Sequence, residues 1–164
     1  MKILVTGGAG YIGSHTCKAL ALAGHDPVVY DNLSSGHRKL VRWGDFVHGD
    51  IRDTAALAGA MRAHAVEGVI HFAALADVGQ SVRDPESYYS VNVAGSLSVL
   101  RAMRQAGVRS IVVSGSYSVH GQPDGIPIRE DLPLLPQNPY ARTKVVMEQM
   151  LADFGQAYGL RSAV

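Results

Sequence analysis

An apolar run, Lys2-Ile3-Leu4-Val5-Thr6, passes without a linker into Gly7-Gly8-Ala9-Gly10-Tyr11-Ile12-Gly13 and from there into a helical pattern. A strand that hands over to a helix through such a turn aims the free N–H groups of the helix start at the carboxyl end of the strand, where the helix dipole favours an anion. Gly7 and Gly10 lack the Cβ atoms that would obstruct a tight turn and the close approach of a phosphate, and Gly13 lets the helix pack on the strand. The residues read both as GxGxxG from Gly8 and as GxxGxxG from Gly7. Glycine-rich turns can serve only to reverse a chain; the flanking strand and helix make this one a candidate pyrophosphate cradle.

The rest of the chain repeats the alternation. Strands are expected at Lys2 to Thr6, Pro27 to Asp31, Asp45 to His48, Gly68 to Phe72, Ser110 to Ser114, and from near Arg161. Helices are expected at Gly10 to Ala23, closing at Gly24, and at Thr54 to His64 behind the N-cap Asp53. Asp84-Pro85-Glu86 opens a third that runs to Met103 and stops at Gly107, and Pro139 opens a fourth reaching about Phe154. Gly121 to Pro136 holds four of the seven prolines and reads as loop. Apolar strands alternating with crossover helices imply one α/β domain spanning 1–164: a Rossmann-type, doubly wound parallel sheet in three αβα layers.

Fifteen Lys and Arg against fourteen Asp and Glu leave a formal charge of +1 with no basic stripe, so nucleic acid is not an expected partner. No apolar run approaches the roughly 20 residues of a membrane span, and the N-terminus lacks a signal-peptide core, so a cytoplasmic location is expected. Cys17, alone, reads as a small buried thiol. The seven histidines show no ligand spacing; no metal is expected, and hydrogen-bonded or solvated imidazoles are the default.

Two further features carry chemistry. Asp31 ends the second strand 21 residues after Gly10, where a carboxylate accepts hydrogen bonds from a ribose 2′-hydroxyl and repels a 2′-phosphate, which favours NAD over NADP. Asp31 followed by Asn32 and Ser34-Ser35-Gly36 could instead cap a turn. Tyr140 and Lys144, four residues apart at a helix start, leave the same helix face. A free phenol, with a pKa of about 10, is a poor base at neutral pH, but an ammonium and an oxidised nicotinamide nearby favour its phenolate and make it a usable acid and base. Ser114 to Ser118 follows the fifth strand at the carboxyl edge of the sheet, where one of its hydroxyls would face a reacting carbonyl or alcohol.

In this order, the glycine turn, Asp31, the serines after strand five and Tyr140-x-x-x-Lys144 resemble the extended short-chain dehydrogenase/reductase family, and within it the nucleotide-sugar 4-epimerases. The segments Val5 to Cys17, Asp31-Asn32-Leu33, Gly49-Asp50-Ile51, His71 to Ala74, Val78 to Val82 and Asn138-Pro139-Tyr140 carry the likeness. It implies NAD as cofactor, held by Gly7, Gly10, Tyr11, Ile12, Gly13, Asp31 and Asn32, with Asp50 and Ile51 on adenine. It also implies that Phe72, Ala73 and Ala74 line the cofactor, that Asn92 and Ser114 lie close to it, and that Ser116, Tyr140 and Lys144 are catalytic. Tyr140 would take the proton of the 4-hydroxyl of a UDP-hexose while NAD takes hydride from C4, the 4-keto sugar then turning to recover it on the other face. Ser116 would hydrogen-bond the reacting oxygen, and Lys144 would hold the nicotinamide ribose.

Ala76, Tyr117 and His120 depart from residues frequent in the family. Arg161 to Val164 falls inside an expected sixth strand, so a C-terminal substrate domain is expected beyond Val164, and with it most of the nucleotide pocket; this part alone would not turn over. A dehydratase or decarboxylase on the same scaffold is the nearest rival, although dehydratases carry an Asp-Glu pair where Tyr117-Ser118 stands; a non-catalytic dinucleotide-binding module is the more distant one. The family also implies a homodimer through Asp84 to Met103 and Pro139 to Phe154. Tyr88, Val91, Leu100, Met103, Val146, Met150 and Leu151 are the apolar residues expected to support it.

Overall fold

The computed structural model describes all of residues 1–164 except 123, 124 and 126. The expected loop from Gly121 to Pro136 lies partly outside the described residues. Among the described residues there are six strands: β1 (Lys2–Thr6), β2 (Asp26–Asp31), β3 (Asp45–His48), β4 (Gly68–His71), β5 (Ser110–Val113) and β6 (Arg161–Ala163). All pair in parallel, in the order β3-β2-β1-β4-β5-β6. The chain builds outward from β1 in one direction, then returns to its other side, so the crevice at the carboxyl end of β1 is the topological switch point of the sheet.

Alternation of side chains along a strand divides the core between two faces. Leu4 and Val28 join Leu57 and Met61 of α2 (Thr54–Ala63), Val99 and Met103 of α5 (Gly95–Ala106), and Met147 and Leu151 of α6 (Pro139–Tyr158). Val5 and Val29 face the other way, against Cys17 of α1 (Tyr11–Leu22), with Trp43 and Phe46 at the rim. Burial pushes the Cys17 thiol up to about 11, which keeps it protonated and inert.

The expected caps form. Asp53 accepts from the Ala56 amide, and Asp84 accepts from the Ser87 amide behind Pro85. Gly107 closes α5 in the left-handed region at φ 75°. Three features differ from the sequence expectation. A short helix, α3 (Val78–Arg83), starts at Asp77, whose carboxylate accepts from the Gln80 amide at 2.6 Å. The helix behind Asp84 is not uniform: α4 (Pro85–Tyr88) widens into a π-helical stretch, Tyr89–Ala94, before α5. Finally, α6 runs four residues past Phe154, because Tyr158 packs edge-on to Phe154 at 5.2 Å and lies under the Arg104 guanidinium at 3.9 Å, tying the last turn to α5.

The apolar face expected to pair with a second copy is largely committed elsewhere. Tyr88, Leu100, Met103 and Leu151 are each at most 3% exposed and belong to the interior of one chain. Val91, Val146 and Met150 of the same stripe are half-buried, whereas a charge at Leu100 would enter the core rather than an interface. Among the described residues no helix is long and apolar enough to cross a membrane.

Candidate functional site

A cleft of about 460 Å³ opens at the switch point. Its floor is the glycine turn. Gly7 holds φ at +70°, and a Cβ there would stand 2.7 Å from the Ala73 amide nitrogen, so only glycine lets the turn and the loop after β4 lie this close. Helix α1 then begins at Gly10 with no side-chain cap and no carboxylate in its first turn. Its opening N–H groups, unpaired by any helix, face a cleft lined by Gly10, Tyr11, Ile12 and Gly13. An uncapped helix start that lines a cleft is suited to an anion, and here it fits a pyrophosphate.

Asp31 does two things at once. It lines the cleft, and its carboxylate accepts from the Ala9 amide at 3.0 Å and the Leu33 amide at 2.8 Å. The turn-capping reading is therefore realised, and it fixes the glycine turn to the end of β2; each oxygen keeps a further lone pair for a ligand hydroxyl. Farther along the same wall, Asp50 is gripped by Arg52 through two parallel bonds of 2.9 and 2.8 Å and accepts from Asn32 at 3.1 Å. These donors hold the Asp50 carboxyl well below the usual carboxylate range.

At the opposite end stand Tyr140 and Lys144, both lining the cleft. Asn138 caps their helix through the Ala141 amide at 2.8 Å, which sets the first turn of α6 and therefore the direction of both side chains. Lys144 is 4% exposed, its ammonium donating to the Ser114 carbonyl at 2.8 Å and lying 5.9 Å from the Tyr140 ring centre. Burial lowers its pKa to about 8.

Of the residues expected to touch a cofactor, Gly7, Gly10, Tyr11, Ile12, Gly13, Asp31, Asn32, Asp50, Ile51, Phe72, Ala73, Ala74, Ser114, Tyr140 and Lys144 line this one cleft. Asn92 does not; it lies buried behind the wall, bonded to Leu75. Ser116, expected to be catalytic, is also absent from the lining of this cleft. It caps a short 3-10 turn through the Ser118 amide, pairs with the Ser118 hydroxyl at 2.7 Å, and opens on a second cleft of about 420 Å³ with Tyr117, His120, Glu148 and Val164. Sequence reasoning missed Tyr30, Ser34, Gly36, Gly49 and Arg52, which also line the first cleft. Gly49 carried a signal, since a Cβ there would collide with the Tyr30 hydroxyl, but the clash is visible only once β2 and β3 are paired.

Behind the site, the parallel register sets Thr6 of β1 beside His71 of β4. The Ser96 hydroxyl donates to the Asn92 carbonyl at 2.5 Å, so His71 Nε2–H must donate to Ser96 (3.0 Å) and Nδ1 must accept from Thr6 (2.6 Å). Burial first, and the Lys144 charge second, lower the His71 pKa to about 3. An unfolded chain binds this proton below about 6.5 and the folded chain does not, so stability falls as pH drops from 6.5 toward 3, by about 1.4 kcal/mol per pH unit. Urea unfolding at pH 7 and pH 4.5 should show wild type losing about 2 to 3 kcal/mol more than a His71→Asn variant; parallel losses would refute a neutral buried imidazole.

Against this geometry stand the likenesses to known proteins. Residues 3–164 match the NAD dependent epimerase/dehydratase family. The chain is 50% identical over 162 residues to UDP-glucose 4-epimerase of Rhizobium leguminosarum bv. trifolii, covering 99% of this chain and 50% of that protein. It superposes at a TM-score of 0.96 and 53% identity on UDP-glucose 4-epimerase from Brucella ovis in complex with NAD, covering 98% of this chain and 50% of that one. At a TM-score of 0.95 and 42% identity it matches the Stenotrophomonas maltophila enzyme with bound NAD and formylated UDP-arabinopyranose, covering 99% of this chain and 51% of the other. The chain spans about half the length of the curated relatives it matches. A switch-point cleft that joins an uncapped glycine turn to a tyrosine and lysine pair, and a match along nearly the whole chain, place this protein in the NAD dependent epimerase/dehydratase family.

Proposed function

We propose that the chain is the cofactor-binding and proton-transfer part of an NAD-dependent 4-epimerase of UDP-hexoses, of the UDP-glucose and UDP-galactose kind. The observation that carries this reading is one continuous cleft with the uncapped start of α1 and the Asp31 carboxylate on one side and Tyr140 with Lys144 on the other. Its residues fit a dinucleotide. Gly7 and Gly10, whose own amides donate to the Tyr30 and Gly7 carbonyls, let the pyrophosphate approach the amides of Tyr11, Ile12 and Gly13, while Asp31 and Asn32 receive the adenosine ribose and Asp50 with Ile51 the adenine. Phe72, Ala73, Ala74 and Ser114 form the wall, and Lys144 reaches the nicotinamide ribose.

When bound, NAD supplies a reversible two-electron oxidation of the sugar at C4. The protein supplies the proton chemistry. Tyr140 removes the proton from the 4-hydroxyl and returns it to the same oxygen. Ser116, two residues beyond Ser114, lines the second cleft, and its hydroxyl would have to exchange its bond to Ser118 for one to the reacting oxygen. The nucleotide half of the substrate would be gripped by the additional length of chain that the relatives have, and that grip would hold the sugar in a reactive geometry.

Calorimetry with both cofactors tests the first half of the reading. NAD should bind and NADP should bind at least about tenfold more weakly, because a 2′-phosphate would meet the Asp31 carboxylate. Equal or tighter NADP binding would remove the Asp31 argument, and binding of neither would overturn the cofactor assignment.

A further inference from the structure

Asn92, expected at the cofactor, lies 2% exposed in the π-helical stretch with its amide wholly engaged by protein. Its Oδ1 accepts from the Leu75 amide at 2.8 Å, and its Nδ2 donates to the Leu75 carbonyl at 3.0 Å and to the Thr143 hydroxyl at 3.1 Å. Thr143, fully buried, donates its single proton to the Tyr140 carbonyl at 2.7 Å. The direction of every bond follows. Thr143 has no proton left for Asn92, so it must accept, and a flipped Asn92 amide would set a donor against the Leu75 amide.

Leu75 and Tyr140 line the cleft, whereas Asn92 and Thr143 do not. The two buried residues therefore join the wall after β4 to the first turn of α6 without touching the ligand space. The Asn92 backbone is held as well, since its carbonyl accepts from Ser96, which accepts in turn from His71. Single π-helical turns are uncommon inside α-helices and recur at functional sites; this one carries the residue that makes the bridge.

We propose that Thr143 and Asn92 are positioning residues that fix Tyr140 relative to the Leu75 wall, so that the proton-transferring phenol and the cofactor cleft keep one geometry. This rests on the cofactor and general-base reading given above. A merely structural pair would lower the stability of the whole domain evenly; a positioning bridge, when cut, loosens the two segments it joins.

The test is Thr143→Val, which removes the hydroxyl at constant shape, beside Thr143→Ser, which keeps it. Two quantities are read: hydrogen exchange at the Leu75 amide compared with the Leu4 amide of β1, and NAD affinity. In Thr143→Val the Leu75 amide should exchange about tenfold faster relative to Leu4, and NAD should bind about fivefold or more weakly, as expected for the loss of one buried hydrogen bond. Thr143→Ser should restore both to within about twofold. If Thr143→Val does not fold, the double variant Asn92→Leu/Thr143→Val replaces both partners by apolar groups of similar shape and should show the same loosening. Equal acceleration of Leu75 and Leu4, no change at Leu75, or failure of serine to rescue would overturn the bridge. A wild-type chain that does not bind NAD overturns the cofactor reading instead, and the exchange measurement then decides the bridge by itself.

Discussion

Replacing Gly13 by alanine is expected to weaken NAD binding by about a hundredfold or more and to destabilise the fold by about 1 to 3 kcal/mol. The added Cβ would collide with the Gly7 carbonyl oxygen and stand 2.8 Å from Gly8 Cα and 2.9 Å from the Gly7 carbonyl carbon. All three are backbone atoms, and none can swing aside as a flexible side chain would. Gly7 cannot retreat, because it already approaches the loop after β4 and holds a left-handed conformation. The helix start must therefore move away from the turn, which misplaces the amides that face the cleft. Gly59 supplies the control. It lies inside α2, and a Cβ added there would meet nothing within 4 Å, so the same substitution should raise stability by about 0.5 to 1 kcal/mol and leave NAD affinity unchanged. Urea unfolding and NAD titration of the two variants should move in opposite directions for stability; an alanine at position 13 that binds NAD normally would show that the cleft does not use this turn.

Replacing Tyr140 by phenylalanine is expected to lower epimerisation by a factor of about 10² to 10⁴, measured with UDP-galactose in the chain continued through the second half that its relatives possess. The change is confined to one oxygen. The ring keeps its edge-on contact with Tyr88 at 6.5 Å, and the backbone carbonyl keeps the hydrogen bond from Thr143. Stability and NAD affinity should therefore stay close to wild type, which separates loss of chemistry from loss of structure. Turnover within a few-fold of wild type would show that another group moves the proton.

Legible in the sequence was the local part of the fold. The limits of β1 and β3, the caps Asp53 and Asp84 and the stop at Gly107 each depend on a few consecutive residues, and the structure has them where the pattern places them. The crossover topology was legible for the same reason, since alternating apolar strands and amphipathic helices leave a parallel sheet as the way to bury every face at once. Motif residues such as Gly7, Asp31, Tyr140 and Lys144 could be named because their spacing is itself the signal.

Tertiary structure decided what depends on partners distant in the chain. No local pattern announces that His71 is locked between Thr6 and Ser96, since the first neighbour is set by strand register and the second by the packing of α5. The apolar residues Leu100 and Met103 read equally well as an outer patch or an inner face, and only the docking of the helices on the sheet resolved them as core. The π-helical turn is invisible to a periodicity of 3.6, because one stretch of wider winding shifts the pattern by less than the scatter of side-chain types; the partners of Asn92 within it, Leu75 and Thr143, lie far along the chain. Sequence alone determined the six strands and the principal crossover helices, because those follow from short-range sterics and spacing, whereas α3 and the π-helical stretch escaped it. Which side chains share a wall, and which buried polar groups hold that wall in place, was settled by long-range packing, where each partner exists only once the other has been placed.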